Sequence, residues 1–478
     1  MKMLRGPLIL LSAVTFPADA VAQARQAPWG RSVPATRHDR VYAAEQFSNT
    51  VSVVDPVAGK LLGVIRLGDP QPANMSPLYK GQLLVHGVGF SPDGRTLAVV
   101  SIGSNSVTFI DTATNSVKHT TYVGRSPHEA FFTPDGKEVW VTVRGEDYVS
   151  VLDSRTFDEV ARLRTPGGPG MTIFSPDGRY GYVCSSFNPE LVVFDVRRRQ
   201  IVGRTAQPSS FCPNIAASPD SAQVWYTLKD IGAVVAIDAK PPFHTLKVIA
   251  TGPITNHVNF ARTAAGQFAY VSVGGLNEVQ VYRTDSFEKV ATVPVGRLPH
   301  GVWPSGDGKR IFVGLENDDS LAVIDTRTNE LVGRIGIGQA PQAIAYVVNA
   351  VPETSGSANL QPLGVAGNVA QLTLGSSGRA LTGVALFDQG LVQILQASVT
   401  GLAPKASYQL VLATRADGSG DIEPLADFTT NPAGSAIVNA TGPIRQIVQE
   451  GSPAERRWLA VREGTSAAPG RIVQVQQR

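Results

Sequence analysis

Short runs in which apolar and polar residues alternate recur through the first three quarters of the chain, each bounded by Gly, Pro, Asn or Asp. One run ends in Asp six times: VSVVD to Asp55, VTFID to Asp111, VSVLD to Asp153, LVVFD to Asp195, VVAID to Asp238 and LAVID to Asp325. A seventh, VQVYR, ends on Arg283 instead. A turn tetrapeptide keeps the same beat, as Ser91-Pro92-Asp93-Gly94, Thr133-Pro134-Asp135-Gly136, Ser175-Pro176-Asp177-Gly178 and Ser218-Pro219-Asp220-Ser221. Weaker copies stand at 263–266 and 305–308, so the intervals are 42, 42, 43, 45 and 42 residues. Alternation with period two predicts strands, because successive side chains of a strand face opposite ways. A fixed repeat of this length with Gly/Pro turns predicts the blades of a propeller.

Each repeat lays out as four strands: an inner one before the Pro-Asp-Gly turn, a second after it, the run ending in Asp, and a fourth after a Thr/Asn-rich turn. Six complete repeats lie between about residues 84 and 338. Residues 41–67 supply three strands without an inner one, and 342–348 supply an inner strand without companions. Together they make a seventh blade from both ends of the repeat region, which removes the open sheet edge that an unclosed array would carry. The predicted fold is therefore all-β, a seven-bladed β-propeller closed by N- and C-terminal strands. Residues 350–361, small and polar, read as a linker. Beyond them the period stops but alternating strands continue at 369–374, 382–387, 391–399 and 408–413. Leu402-Ala403-Pro404 followed by Tyr408 resembles a tyrosine corner, so residues 362–478 are expected to form a small β-sandwich-like domain.

The N-terminus changes the expected compartment. Lys2 and Arg5, the apolar stretch Leu8 to Val14 and Ala20-Val21-Ala22 have the form of a secretory signal peptide over residues 1–22. A short linker, 23–39, would then precede the propeller at 40–349. The apolar stretch is too short to span a bilayer, so a periplasmic or secreted protein without a transmembrane segment is expected. The formal net charge of +3 over 478 residues gives no concentrated basic face, which argues against a nucleic-acid partner. Cys184 and Cys212 are the only cysteines. In an oxidising compartment they can form a disulfide or remain two free thiols.

At the repeats, SPDGRTLAVVSIGSNSVTFIDTATNSV and GDGKRIFVGLENDDSLAVIDTRTNELVGRIGIG resemble the YVTN-type (YncE-like) seven-bladed propeller repeats of exported bacterial and archaeal proteins. Propeller lactonases and the haem-binding propeller of nitrite reductases share the repeat style more distantly. Neither group's active-site set can be placed on this chain, because only the repeat framework matches.

Aligned on the turn, His86, His128 and His300 fall at one point, eight residues before the turn glycine, and His257 falls nine before Gly266. The other repeats have Gly170-Met171, Cys212-Pro213 and Gln342 there. All four histidines thus belong at the entry to the channel-lining strand, on the face opposite the turns. Arg144 and Glu316, in loops of that same face, are candidates for the wall of a pocket, with Lys229, Asp230 and 317–319 nearby. Imidazoles that converge suit a transition metal or non-covalent haem, and equally a small ligand. The bland alternative is that each histidine only bonds the neighbouring blade's backbone. An insertion at 70–83, with Met75 and Tyr79, is expected to arch over this mouth.

No Gly-x-Ser-x-Gly elbow, His-Glu-x-x-His helix, Walker loop or Cys-x-x-Cys-His motif is present. The primary expectation is a monomeric binding or scaffold propeller whose small ligand or protein partner engages the histidine mouth. The alternative is a metal- or haem-dependent enzyme, lactonase-like or redox, on the same four residues.

Overall fold

A computed structural model describes residues 33–68, 83–351, 355–364, 369–376, 378–389, 392–442, 444 and 456–477. The segment 1–22 and nearly all of the 70–83 insertion lie outside the described residues. Seven four-stranded antiparallel sheets form a closed propeller. Blade 1 is composite: its inner strand is Pro341–Val347, paired with Arg40–Glu45, then Thr50–Asp55 and Lys60–Arg66. The inner strands of blades 2 to 7 are Val85–Phe90, Pro127–Phe132, Pro169–Phe174, Ile215–Ala217, Thr255–Thr263 and Pro299–Pro304.

The repeated words of the sequence each carry a defined set of hydrogen bonds. In the Ser-Pro-Asp-Gly turn, Ser91 Oγ donates to Asp93 Oδ1 at 2.6 Å and accepts the Thr96 N–H at 2.9 Å. Gly94, at φ +71°, turns the chain so that its N–H reaches the Ser91 carbonyl at 2.8 Å. The Asp at the end of the third strand caps the next loop in five blades, through Asp55, Asp111, Asp153, Asp195 and Asp325: Asp111 Oδ1, for one, accepts the N–H groups of Ala113 and Thr114 at 3.1 and 2.9 Å. Where Arg283 replaces that Asp, Arg283 Nη2 pairs instead with Asp285 at 2.9 Å.

The blades are held to one another by large aromatic rings at their interfaces. Trp140 of blade 3 stands edge-on to Phe174 of blade 4 at 5.2 Å, and Trp225 of blade 5 to Phe260 of blade 6 at 5.9 Å. Both indoles are fully buried. Each such side chain contributes about 1.5–3 kcal/mol by leaving water, and the edge-on pairing about 0.5–1.5 kcal/mol more. The disulfide Cys184–Cys212, with Cα atoms 6.0 Å apart, ties blade 4 to the chain entering blade 5.

The C-terminal domain is one sheet of eight strands whose end strands, Ile422–Thr429 and Ala436–Gly442, lie against each other, so it is nearly closed around a Leu/Val core. The Tyr408 hydroxyl accepts the Ala403 N–H at 3.1 Å. This domain sits on the ring's face opposite the Pro-Asp-Gly turns. Phe387 packs edge-on against Phe47 at 5.0 Å, Gln339 Nε2 donates to the Asp388 carbonyl at 3.0 Å, and the Ala433 N–H reaches the Asp230 carbonyl at 3.1 Å. Arg297 Nη1 bonds the Leu372 carbonyl at 3.2 Å and Gln371 Nε2 the Asn317 carbonyl at 3.1 Å. Among the described residues, no helix is long and apolar enough to cross a membrane.

Ring closure has a polar lock. Glu45 is fully buried at the end of the closing strand. It accepts the Gly338 N–H at 2.8 Å and a short hydrogen bond from the Thr50 hydroxyl. Burial pushes its carboxyl up to about 7, against which the Ser52, Thr50 and Gly338 hydrogen bonds pull down. A folded pKa above the unfolded value, about 4.3, means that stability is full below the unfolded value and lost as pH rises through 7. The difference in unfolding free energy between wild type and Glu45→Gln, measured by urea melts, is expected to fall by on the order of 3 kcal/mol between pH 4 and pH 8. A pH-independent difference would contradict this account.

Candidate functional site

The mouth is shaped by a bulge at the start of the inner strands. In blade 3 the register runs Pro127↔Val143 and then Ala130↔Val141, three residues against two, and blades 2, 6 and 7 repeat it at Val85/Val88, Thr255/Val258 and Pro299/Val302. The extra residue re-aims two consecutive side chains, which is what bulges beside sites do. His86, His128 and His300 occupy the first bulge position. The same register puts Asn256, not His257, at that position in blade 6, and His257 stands one residue further in. The nine-residue spacing to Gly266 therefore marks a different position.

The two positions point differently. First-position side chains reach sideways: His128 Nδ1 bonds the Gly170 carbonyl at 2.8 Å, His300 Nδ1 the Gln342 carbonyl at 2.7 Å and Asn256 Nδ2 the Pro299 carbonyl at 2.7 Å. Second-position side chains line the channel, Glu129 and His257 among them, together with Met171 of blade 4. The rings nevertheless form an unbroken row. Centroids are 4.6 Å apart for His128 and His86, 6.2 Å for His86 and His300, and 4.6 Å for His300 and His257. Rings packed this closely leave no slot between them for a planar macrocycle.

Hydrogen bonding orders the tautomers. The Nδ1–H of His128 and of His300 must donate to carbonyls, so each Nε2 carries a lone pair. His86 Nε2 lies 2.9 Å from His128 Nε2 and is therefore the protonated partner. That leaves His86 Nδ1 as a lone pair, and among the described residues it has no partner. Asn214 Oδ1 accepts the Val258 N–H at 2.8 Å, so its Nδ2 donates to His257 Nδ1 at 3.2 Å and His257 carries its proton on Nε2. Burial holds all four imidazoles below their ordinary range, His300 at about 3, and Arg144 adds to this at His86 and His128, Lys229 at His257 and His300. The row is neutral at physiological pH.

Charged groups surround it at another recurring point, the first residue after the second strand. That residue is Arg144 in blade 3, Lys229 in blade 5 and Glu316 in blade 7. Burial lowers Arg144 to about 10 and lowers Lys229 as well. Each is half-buried, and neither side chain makes a hydrogen bond or salt bridge with a described residue. Glu316 is buried and raised by desolvation, opposed by Lys229 and by the amides of Gln342 and Gln396. Its Oε1 stands 3.8 Å from His300 Nε2, beyond hydrogen-bond reach. Gln396 belongs to the C-terminal domain, so that domain contributes to the mouth. Of the neighbouring loop charges, Glu146 and Asp147 face outward to Arg125 and Arg164.

Glu129, directly after His128, is a site residue that the repeat alignment passes over. Its carboxyl crosses Gly87 of blade 2 and accepts the Val88 N–H, while Oε2 has no partner among the described residues. Burial pushes it up to about 8 against the pull of Arg144. The ligand atoms of His86, His128 and Glu129 lie within 4.8 Å of one another.

A family model described as YNCE-like beta-propeller matches residues 84–352. No curated protein matches. Among solved structures, a functionally unknown protein from Desulfotomaculum acetoxidans DSM 771 is similar over 65% of this chain and 99% of its own, at 15% identity and a TM-score of 0.54. Kuenenia stuttgartiensis hydrazine synthase is similar over 54% of this chain and 88% of its own, at 22% identity and a TM-score of 0.49. At 15% identity the likeness to the Desulfotomaculum protein is one of fold.

A Cβ at Gly87 would stand 2.5 Å from both Glu129 Oε2 and the His128 carbonyl, whereas one at Gly333 on an outer strand would meet nothing closer than 4.0 Å. Gly87→Ala is expected to cost about 1–3 kcal/mol. Gly333→Ala should stay within about 0.5 kcal/mol. Chemical denaturation of the two variants checks this, and equal effects would show that the carboxyl does not cross Gly87.

Proposed function

The chain belongs to the YNCE-like β-propeller family, and from that premise we propose that it is an exported binding protein that takes a small anionic ligand at the histidine-bearing mouth of its ring. The observation that carries this reading is the pair Arg144 and Lys229. Among the described residues these two half-buried cations have no hydrogen-bonded or ion-paired partner and feel only the attraction of the Glu129 and Glu316 carboxyls, so an anion held between them offsets the cost of their burial. The histidines beside them are neutral, and His257 Nε2–H is a donor on the same mouth. A small ligand fits better than a protein partner because the C-terminal domain is already seated on this face, at blades 1, 5, 6 and 7. Export is supported by the leader-like residues 1–22 and by the Cys184–Cys212 disulfide, which persists where the surroundings are oxidising.

Thermal melts of the full mature chain against phosphate, sulfate, monocarboxylates and dicarboxylates test the reading. At least one anion class is expected to raise the melting temperature with a saturating dose response. At a concentration of about 100 Kd the gain is about 2.7 kcal/mol. Arg144→Gln or Lys229→Met should weaken that response at least tenfold. An unresponsive wild type, or variants that respond as the wild type does, would overturn it.

A further inference from the structure

We propose that His86, His128 and Glu129 form a binding site for one divalent transition-metal ion. The proposal does not rest on the anion reading, since it uses different side chains and a different physical observation. That observation is a convergence of donor atoms with too little to donate to. Among the described residues Glu129 Oε2 is buried without a partner, its residue 2% exposed, and the Nε2 atoms of His86 and His128 face each other beside it. Groups so placed require a ligand, ion or water to account for them.

The geometry suits a metal ion. The two Nε2 atoms are 2.9 Å apart. Two imidazole nitrogens each about 2.0–2.1 Å from one ion are about 2.9 Å apart when they subtend a right angle. That is the separation of adjacent ligands around a five- or six-coordinate ion. An ion between them takes the place of the shared proton: the His86 proton moves to Nδ1, so that ring stays neutral, and the Glu129 carboxyl, whose protonated form burial favours, releases its proton to solvent on binding. His128 is held for this role by its Nδ1–H bond to the Gly170 carbonyl at 2.8 Å, the outer-shell contact that orients a ligating imidazole. Gly87 leaves the space the carboxyl occupies, since a Cβ there would stand 2.5 Å from Oε2. Two imidazoles and one carboxylate select first-row divalent ions and leave coordination positions open. His257 and His300 lie outside this set, His300 with its Nε2 towards Glu316.

Arg144 opposes the ion, because it is a cation close enough to act on His86, His128 and Glu129 alike. Its charge separates the two readings: Arg144→Gln should tighten metal binding while weakening anion binding.

The experiment is titration of the chelator-treated, full mature protein with Co2+ alone, followed by visible absorption and calorimetry. One ion per chain is expected. Its affinity should fall at least tenfold in Glu129→Gln and His86→Ala proteins shown by circular dichroism to be folded, and rise in Arg144→Gln. A readout that needs no variant is the electron paramagnetic resonance spectrum of the Cu2+-loaded wild type, where coupling to two imidazole nitrogens is expected. Absence of stoichiometric binding, variants that bind as the wild type does, or coupling to any other number of nitrogens would overturn the site. None of these outcomes bears on the anion melts, which are carried out on metal-free protein.

Discussion

Closure of the ring by the antiparallel pairing of Arg40–Glu45 with Pro341–Val347 is the constraint on which the other features depend. Seven sheets, each contacting only its neighbours, become one body only when the last inner strand finds the first free strand, about 300 residues away in sequence. Once that pairing forms, every inner strand is fixed in distance and tilt from the next. Contacts between blades then acquire defined partners: the Trp140–Phe174 edge, the His128–Gly170 bond, the His300–Gln342 bond. The buried Glu45 sits at this pairing, so a carboxyl raised by burial stands where closure is completed.

Closure explains why the mouth can hold groups that would be unfavourable elsewhere. A bulge at the entry of an inner strand is confined by the blades on both sides, so the redirected side chains cannot relax towards solvent. His86 and His128 are pressed to a 2.9 Å contact, and the Glu129 carboxyl is laid over a neighbour's backbone. The rigid ring holds these unpaired atoms in place, and the aromatic interfaces between blades supply the stability that offsets their cost. The C-terminal domain adds to the same confinement through Gln396 and its contacts with Asn317, Asp230 and Phe47.

The legible part of this architecture is the part that repeats. Ser-Pro-Asp-Gly and the terminal Asp of the third strand specify local hydrogen bonds that need nothing from the rest of the chain, and they were sufficient to count seven blades. His86, His128 and His300 were legible for the same reason, since they keep a constant distance from such a turn. His257 was misplaced by one residue because spacing alone cannot say which of two bulge positions a residue fills; the strand register does. Glu129 was passed over because it does not recur, although its place immediately after His128 holds the clue. Arg144, Lys229 and Glu316 sit at equivalent points of three blades, yet only the closed ring brings them around one opening. The later strands of the C-terminal domain lack a repeat, and their pairing into a single sheet joins segments far apart in sequence.

The charges at the mouth couple its two candidate occupants. Without a cation, Glu129 is largely protonated at neutral pH, because burial outweighs the attraction of Arg144. An anion bound by Arg144 and Lys229 withdraws the attraction that favours the ionised carboxyl, and at the same time removes the repulsion that Arg144 exerts on a metal ion. A metal ion bound by His86, His128 and Glu129 likewise adds positive charge beside the anion. The loss at the carboxyl and the relief of repulsion act in opposite directions, and linkage requires whatever coupling remains to be the same whichever occupant binds first.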